Sequence, residues 1–357
     1  MESFFPSGRE MSSLSFPMLR VASIPLRSYR GEIERNVARI AEWLALAARE
    51  EIGLVVFPEA CLVGYGSFAR LHRDEIESLA QPLDGAALGA VANAVERTGV
   101  AAGVGLIERA PDGCLFNSYV ICLPGGVRHC HRKLHAFEHR RILSGDRFTV
   151  FDTAWGIRIG VLIGGDAYLI ENVRMTALMG ATLLVAPHRS YAVQHGGERL
   201  LQPVSAEQWR QRDARAAASG ATGAAGATRV ASAPTGHHAA DWLRAWLPAR
   251  AADNGIFTVF GDGAEPCGKE GAPGAGMIVD PCGVILADDV SANGAIVAAN
   301  LDQRLIATSA GQQWLRARRP DLYAALGWPD RDAAIFAPRG VSPRGSIAVS
   351  FAQVSRR

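Results

Sequence analysis

The sequence has no apolar run of about 18 or more residues, so it offers no membrane span. Residues 1–17, MESFFPSGREMSSLSFP, lack the basic start and apolar stretch of a signal peptide, and read as a short extension ahead of the first strand. Strong charge of either sign is also missing. The net charge is +2, which points to neither nucleic acid nor an acidic partner. Cysteines are few: Cys61, Cys114, Cys122, Cys130, Cys267 and Cys282. They show no CxxC and no Cys/His ligand spacing, so no metal site, cofactor or disulfide framework is indicated, and a reducing cytoplasm is the expected compartment. What is present is core material. The chain has 357 residues and 48% hydrophobic content, enough for one large α/β domain or two ordinary ones.

The most informative stretch runs from Gly156 to His188, GIRIGVLIGGDAYLIENVRMTALMGATLLVAPH. Ile157 to Ile163 is apolar and β-branched, as a strand buried on both faces should be. Gly164-Gly165-Asp166 is a turn. Glu171 to Met179 has helical spacing, and Gly180 sits where a C-terminal stop belongs. Ala181 to Ala186 is a second buried strand. The loop at the carboxyl end of a buried strand is where α/β folds place their chemistry, and here its first two residues carry no side chains.

The same alternation covers the rest of the chain. Strands are expected at Leu19–Pro25, Ile52–Phe57 and Val100–Ile107, with helices at Glu32–Glu51 and Gly85–Thr98, the latter capped by Asp84. Leu115–Leu123 and Val127–Lys133 flank Pro124-Gly125-Gly126, a hairpin signal. Phe148–Thr153 leads into the central stretch. After His188 the pattern lapses over about 190–238, and Ala214–Pro234 is so rich in Ala, Gly, Ser and Thr that it reads as a surface insertion. Order returns in an amphipathic helix at Ala239–Asn254, where Trp242 and Trp246 share a face suited to packing, beside a solvated His237-His238. Strands follow at Ile256–Phe260, Met277–Asp280, Val284–Leu286 and Ala295–Ala299. A last helix spans Gln303 to Ala317, with Arg316, Arg318 and Arg319 at its end suiting the helix dipole, and a Pro-, Gly- and Arg-spotted tail holds one strand-like run at Ser346–Val354. The expected organisation is a single α/β domain over 18–326, with mixed sheets and outer helices, and a tail at 327–357.

Three positions at strand ends stand out. Glu59 closes the apolar run LVVFPE, where a carboxylate is costly unless it is partnered or does work; a helix cap or ion pair would also account for it. Lys133, in HCHRKLHAFEHRR, is either part of a solvated basic run or, if buried near Glu59, an ion pair or an electrophilic ammonium. Gly164-Gly165 can be a plain tight turn. His188 ends a strand near the presumed pocket mouth, where contact with substrate and a structural role are both open.

Order and context join these positions. VVFPEACLVGY, HRKLHAFE, SGDRFTVFDTAWGIRIGVLI, ENVRMTALMGATLLVAPH, DNGIFTVFGDG and GMIVDPCGVILA together resemble the nitrilase, or carbon–nitrogen hydrolase, superfamily over about residues 18 to 326. The run ENVRMTALMGA is similar to a bacterial nitrilase- or amidase-like branch. The resemblance implies a four-layer α-β-β-α sandwich that pairs through its outer helices into a homodimer or larger homo-oligomer. It implies a small nitrile or amide as substrate, with Glu59 as general base and Lys133 as oxyanion stabiliser. Glu138 matches the further glutamate by which some members position substrate, and Gly165, Asp166 and His188 join the substrate-side group. The family's nucleophilic Cys would stand in a pattern such as I-C-Y-D, where this chain has Ile163-Gly164-Gly165-Asp166.

Glycine supplies no atom for covalent catalysis, so a thioester route cannot start from position 164. Cys61, two residues past Glu59, reads as a small buried hydrophobe rather than a substitute. Asp166 would be repelled by an ionised Glu59 and is expected to hold the turn. Three readings stay open: hydrolysis of a C–N bond without a cysteinyl intermediate, a pseudoenzyme that binds a small ligand, or a scaffold subunit beside an active relative.

Overall fold

The computed structural model describes residues 18–64, 68, 71–189, 237–263, 274–289 and 296–327. The insertion at Ala214–Pro234, His237-His238 side chains, Trp242's side chain and the tail run Ser346–Val354 lie outside what it describes. Residues up to Arg316 belong to one compact unit and those from Ala317 to a second. In the second, Pro320–Leu322 and Ala324–Gly327 are short 3₁₀ turns, and the Arg319 guanidinium grips Asp321.

In the first unit, two sheets lie face to face. The strands are β1 (Leu19–Ser23), β2 (Leu54–Val56), β3 (Ala101–Arg109), β4 (Leu115–Cys122), β5 (Arg128–Arg132), β6 (Ile142–Leu143) and β7 (Thr149–Asp152). They continue as β8 (Arg158–Val161), β9 (Leu183–Arg189), β10 (Phe257–Gly263), β11 (Gly276–Val279), β12 (Ile285–Asp289) and β13 (Val297–Leu301). The first sheet runs β13-β1-β2-β3-β4-β5, with β6 beside β4; the second runs β12-β11-β10-β9-β8-β7. Each has a parallel centre, β1-β2-β3 and β8-β9-β10, and antiparallel flanks.

Helices cover both outer faces. On the first sheet lie α1 (Ile33–Arg49), α2 (Arg73–Leu79) and α3 (Ala86–Thr98). On the second lie α4 (Ile170–Leu178) and α5 (His237–Asn254), and two short helices follow, α6 (Arg304–Thr308) and α7 (Ala310–Arg316). Period-two alternation assigns the strand residues to layers. Val55 and Phe57 pack outward with Ile40, Leu44 and Leu88, whereas Leu54 and Val56 pack inward with Val185 and Val259 of the second sheet. Leu184 and Phe260 face out again, against Leu243 and Leu247 of α5. The fold is thus the expected α-β-β-α sandwich.

Local details depart from expectation. The α3 cap is Gly85, not Asp84, and no side chain caps it. Expected as one helix, 303–317 breaks at Ser309, whose extended backbone separates α6 from α7. Helix α2 escapes the periodicity because it is short; its start is a capping box in which Glu75 accepts the His72 N–H at 2.7 Å. The β4–β5 hairpin is as read, with Gly125 and Gly126 at φ +87° and +77° and their N–H groups donating to Glu96 of α3.

Candidate active site

Four chain segments meet where the two sheets face each other: the turn after β2 (Glu59), the loop after β5 (Lys133), the turn after β8 (Gly164) and the end of β9 (His188). Glu59 is aimed by a kinked backbone. Ala60 beside it has φ +51°, an uncommon conformation for a residue with a β-carbon, and the Glu59 N–H donates across to the His188 carbonyl at 3.2 Å. Gly105 of β3 lets this turn come close, since a β-carbon there would stand 2.2 Å from the Ala60 nitrogen.

Lys133 holds its backbone by donating its N–H to the Asn117 carbonyl at 2.8 Å and accepting the Gly145 N–H at 2.7 Å. Its side chain is 2% exposed and lies between two buried carboxylates. Nζ donates to Glu59 Oε1 at 2.7 Å and to Glu138 Oε1 in a very short contact. Asn117 Nδ2 closes the ring, donating to Glu59 Oε1 at 2.6 Å and Glu138 Oε1 at 3.0 Å. The Phe137 ring covers the ammonium, 4.9 Å from its centroid, and the Phe137 N–H donates to Glu138 Oε2 at 2.9 Å.

Two carboxylates against one ammonium leave a charge of −1, and the environment decides which carboxylate is more basic. Burial pushes Glu59 above the usual range and the Glu138 charge adds to this, against the pull of Lys133. Burial also opposes the Glu138 charge, but Lys133 and the hydrogen bonds from Lys133, its own backbone and Asn117 outweigh it and bring that carboxyl down. Of the two carboxylates, Glu59 is the one shifted in the direction a general base needs. The choice of lysine is itself informative. Only two of the 37 basic residues, Lys133 and Lys269, are lysines. A compact ammonium fits a slot between two carboxylates that a planar guanidinium would not.

Gly164 opens a 3₁₀ turn, Gly164–Tyr168, between β8 and α4, with φ +53°. A β-carbon on Gly164 would stand 2.9 Å from Glu59 Oε2 and 2.9 Å from Lys133 Nζ. The bare side of this glycine thus faces the ion pair. Gly165 is less confined, since a β-carbon there would only touch Phe137 at 3.5 Å and Tyr168 at 3.8 Å.

The other expected residues divide. Glu138 joins the trio. Asp166 is fully buried and holds the turn, its two oxygens accepting the Leu134 and His135 N–H groups at 2.8 Å each. His188 stands beside Glu59, whose N–H its carbonyl accepts. It is 2% exposed, packed among Tyr168, Trp246 and Phe260, its Nδ1 3.1 Å from the Ala186 carbonyl, and burial pushes its pKa down to about 3. Asn117 was not foreseen, although an Asn-Ser pair inside the otherwise apolar β4, LFNSYVIC, signals a polar task in a buried strand. Cys61 is fully buried, its Sγ accepts the Gly105 N–H at 3.4 Å, and burial drives its thiol up to about 12. It is not placed to act as a nucleophile.

Comparison with known proteins places the chain and its fold. The chain is 32% identical over 170 residues to an (R)-stereoselective amidase of a Pseudomonas species, covering 47% of this chain and 59% of that protein. It is 29% identical over 174 residues to a nitrilase of Pyrococcus abyssi, covering 48% and 64%. The chain thus matches less than two thirds of the length of these curated relatives. Two solved structures share the fold over nearly their whole length. One is a variant of the Nesterenkonia AN1 amidase (TM-score 0.61, 18% identity, 86% of this chain and 97% of that one). The other is Saccharomyces cerevisiae Nit3, of branch 10 of the nitrilase superfamily (TM-score 0.62, 19% identity, 85% and 97%). Residues 20–310 match the carbon–nitrogen hydrolase family, and with most of its length in that match the chain belongs to this family, within the nitrilase superfamily.

Proposed function

We propose that this protein acts on the C–N bond of a small amide or nitrile without a cysteinyl intermediate. The observation that carries the reading is the bare face of Gly164, which looks onto Glu59 Oε2 and Lys133 Nζ. Relatives of this fold include an amidase trapped with an acetamide moiety on its active site cysteine; position 164 is where this chain would need such a group. In its place water attacks the substrate carbon. Glu59 takes the proton, Lys133 stabilises the oxyanion, and the proton passes from Glu59 to the leaving nitrogen, so that an amide and water give a carboxylic acid and ammonia. Loss of the nucleophile in a comparable acyl-transfer enzyme leaves about 10³–10⁴-fold over water from the rest of the site, so turnover is slow.

A specific observation favours a second reading, a pseudoenzyme that binds the ligand and does no chemistry. Both carboxylates already engage the ammonium, and the ends of Glu59 and Lys133 fill the space that a side chain at 164 would take. Pairing into a homodimer through the outer helices belongs to the same proposal, supported by Ile170, Met175, Leu178 and Met179 on or just past α4, all exposed.

One screen separates the readings: ammonia release from small nitriles and amides by the natural protein, Glu59→Gln and Gly164→Cys, with mass spectrometry for an adduct. Turnover in the natural protein that is lost in Glu59→Gln and not raised by Gly164→Cys supports the water mechanism. Activity confined to Gly164→Cys, with an acyl-enzyme mass, refutes it in favour of the pseudoenzyme.

A further inference from the structure

Asp166 is a fully buried carboxylate beside the site, outside the Glu59–Lys133–Glu138 trio. It is wholly enclosed, yet its partners are backbone groups: Leu134 N–H to Oδ2 and His135 N–H to Oδ1, both at 2.8 Å. A turn of this kind can be held by a neutral Asn or Ser at much lower desolvation cost. The two peptide groups it grips are those that immediately follow Lys133. Asp166 is in turn fixed from behind. Its N–H donates to the Ile163 carbonyl at 3.1 Å, and its own carbonyl accepts Asn172 Nδ2 of α4 at 3.0 Å. His131 of β5 faces it with Nε2 4.0 Å from Oδ2, and the charges of Lys133 and Glu138 also reach it.

We propose that Asp166 is a positioning residue: it clamps the loop after β5 to the turn after β8, and so fixes the Lys133 ammonium opposite the bare face of Gly164. The clamp adds to the two backbone hydrogen bonds of Lys133 and to its contacts with Glu59 and Glu138, and it fixes the two peptide groups that follow. Burial pushes the Asp166 carboxyl up to about 7, against the pull of Lys133 and of the two N–H groups. What the carboxyl group offers over an amide or hydroxyl is two acceptor oxygens fanned from one carbon, one for each N–H. This proposal rests on the functional reading of Lys133 given above.

The scarcity of lysine makes the test direct. Protein labelled with ¹⁵N only in lysine has two side-chain nitrogens, from Lys133 and Lys269. A buried, paired ammonium gives a protected ¹H–¹⁵N signal, assigned to Lys133 by its loss in Lys133→Met. Asp166→Asn keeps the size but replaces one of the two acceptor oxygens by an NH₂ donor, so one N–H loses its partner oxygen. It is expected to speed exchange of the Lys133 ammonium protons by roughly tenfold or more, the factor matching loss of one charge-assisted hydrogen bond, or to abolish the signal, and Asp166→Glu to restore part of the protection. Val279→Ala, a remote core change, should leave the signal in place. A folded Asp166→Asn with an unaltered Lys133 signal overturns the proposal. Should Asp166→Asn not fold, amide hydrogen exchange of Leu134 and His135 in the natural protein decides, since exchange at open-loop rates overturns it and strong protection supports it. Absence of any protected lysine signal in the natural protein would overturn the functional reading itself, and this proposal with it.

Discussion

Replacing Lys133 by Met tests the trio without any substrate. With Glu59, Glu138 and Lys133 all ionised, the natural site carries −1, and all three groups are buried. Removing the ammonium leaves −2 in the same enclosure, and the cheapest relief is uptake of one proton. Protonating a carboxyl with an unfolded pKa near 4.3 costs about 1.4 kcal/mol per pH unit above it, hence about 4.4 kcal/mol at pH 7.5 and about 1 kcal/mol at pH 5. The first figure agrees with the roughly 3–5 kcal/mol typical of breaking a buried pair. The carboxyls of the substituted protein have folded pKa values raised above the unfolded value, so its stability is fully present below about pH 4.3 and is lost as pH rises through the folded values. Urea unfolding at pH 5 and 7.5 should therefore show a penalty, relative to the natural protein, that shrinks by about 3 kcal/mol at the lower pH. Adding Glu138→Gln should recover much of the loss at pH 7.5, because the trio then returns to a single negative charge. An equal penalty at both pH values would refute the reasoning, since carboxylates that do not need to protonate are not enclosed around Lys133.

What the sequence disclosed and what it hid differ by the range of the interaction. Buried parallel strands announce themselves locally: Ile157–Ile163 and Ala181–Ala186 are continuous apolar runs, and β8 and β9 lie within or beside them. Glu59 and Lys133 were legible because a charge at the tip of such a run needs an explanation. Asn117 and the clamp by Asp166 were not, because their meaning depends on partners 58 and 32 residues away, Glu59 and Leu134. For His188 the sequence left substrate contact and a structural role both open; β9 runs on to Arg189, and Tyr168, Trp246 and Phe260 pack around the ring. The Asp84 cap failed for a local reason: Gly85 adopts the extended N-cap conformation at φ −75°, ψ 170°, and starts α3 one residue later.

Two further outcomes follow from the walls of the site. Cys61, with its thiol raised to about 12 and no exposure, should resist iodoacetamide at pH 8 in the folded protein while exposed Cys282 reacts; peptide mapping of a labelled Cys61 in folded protein would contradict its role as packing. Gly105→Ala reaches the site from behind. Its methyl would stand 2.2 Å from the Ala60 nitrogen and 2.9 Å from the Glu59 carbonyl carbon, and these are backbone atoms that no rotamer change can move aside. The turn must shift, and Glu59 Oε1 with it, away from Lys133 and Asn117. Such overpacking costs about 1–3 kcal/mol. The loss should also couple to the ion pair, so that Gly105→Ala and Glu59→Gln together cost less than the sum of the two alone. Strict additivity in urea unfolding would show that β3 supports the turn without aiming its carboxylate.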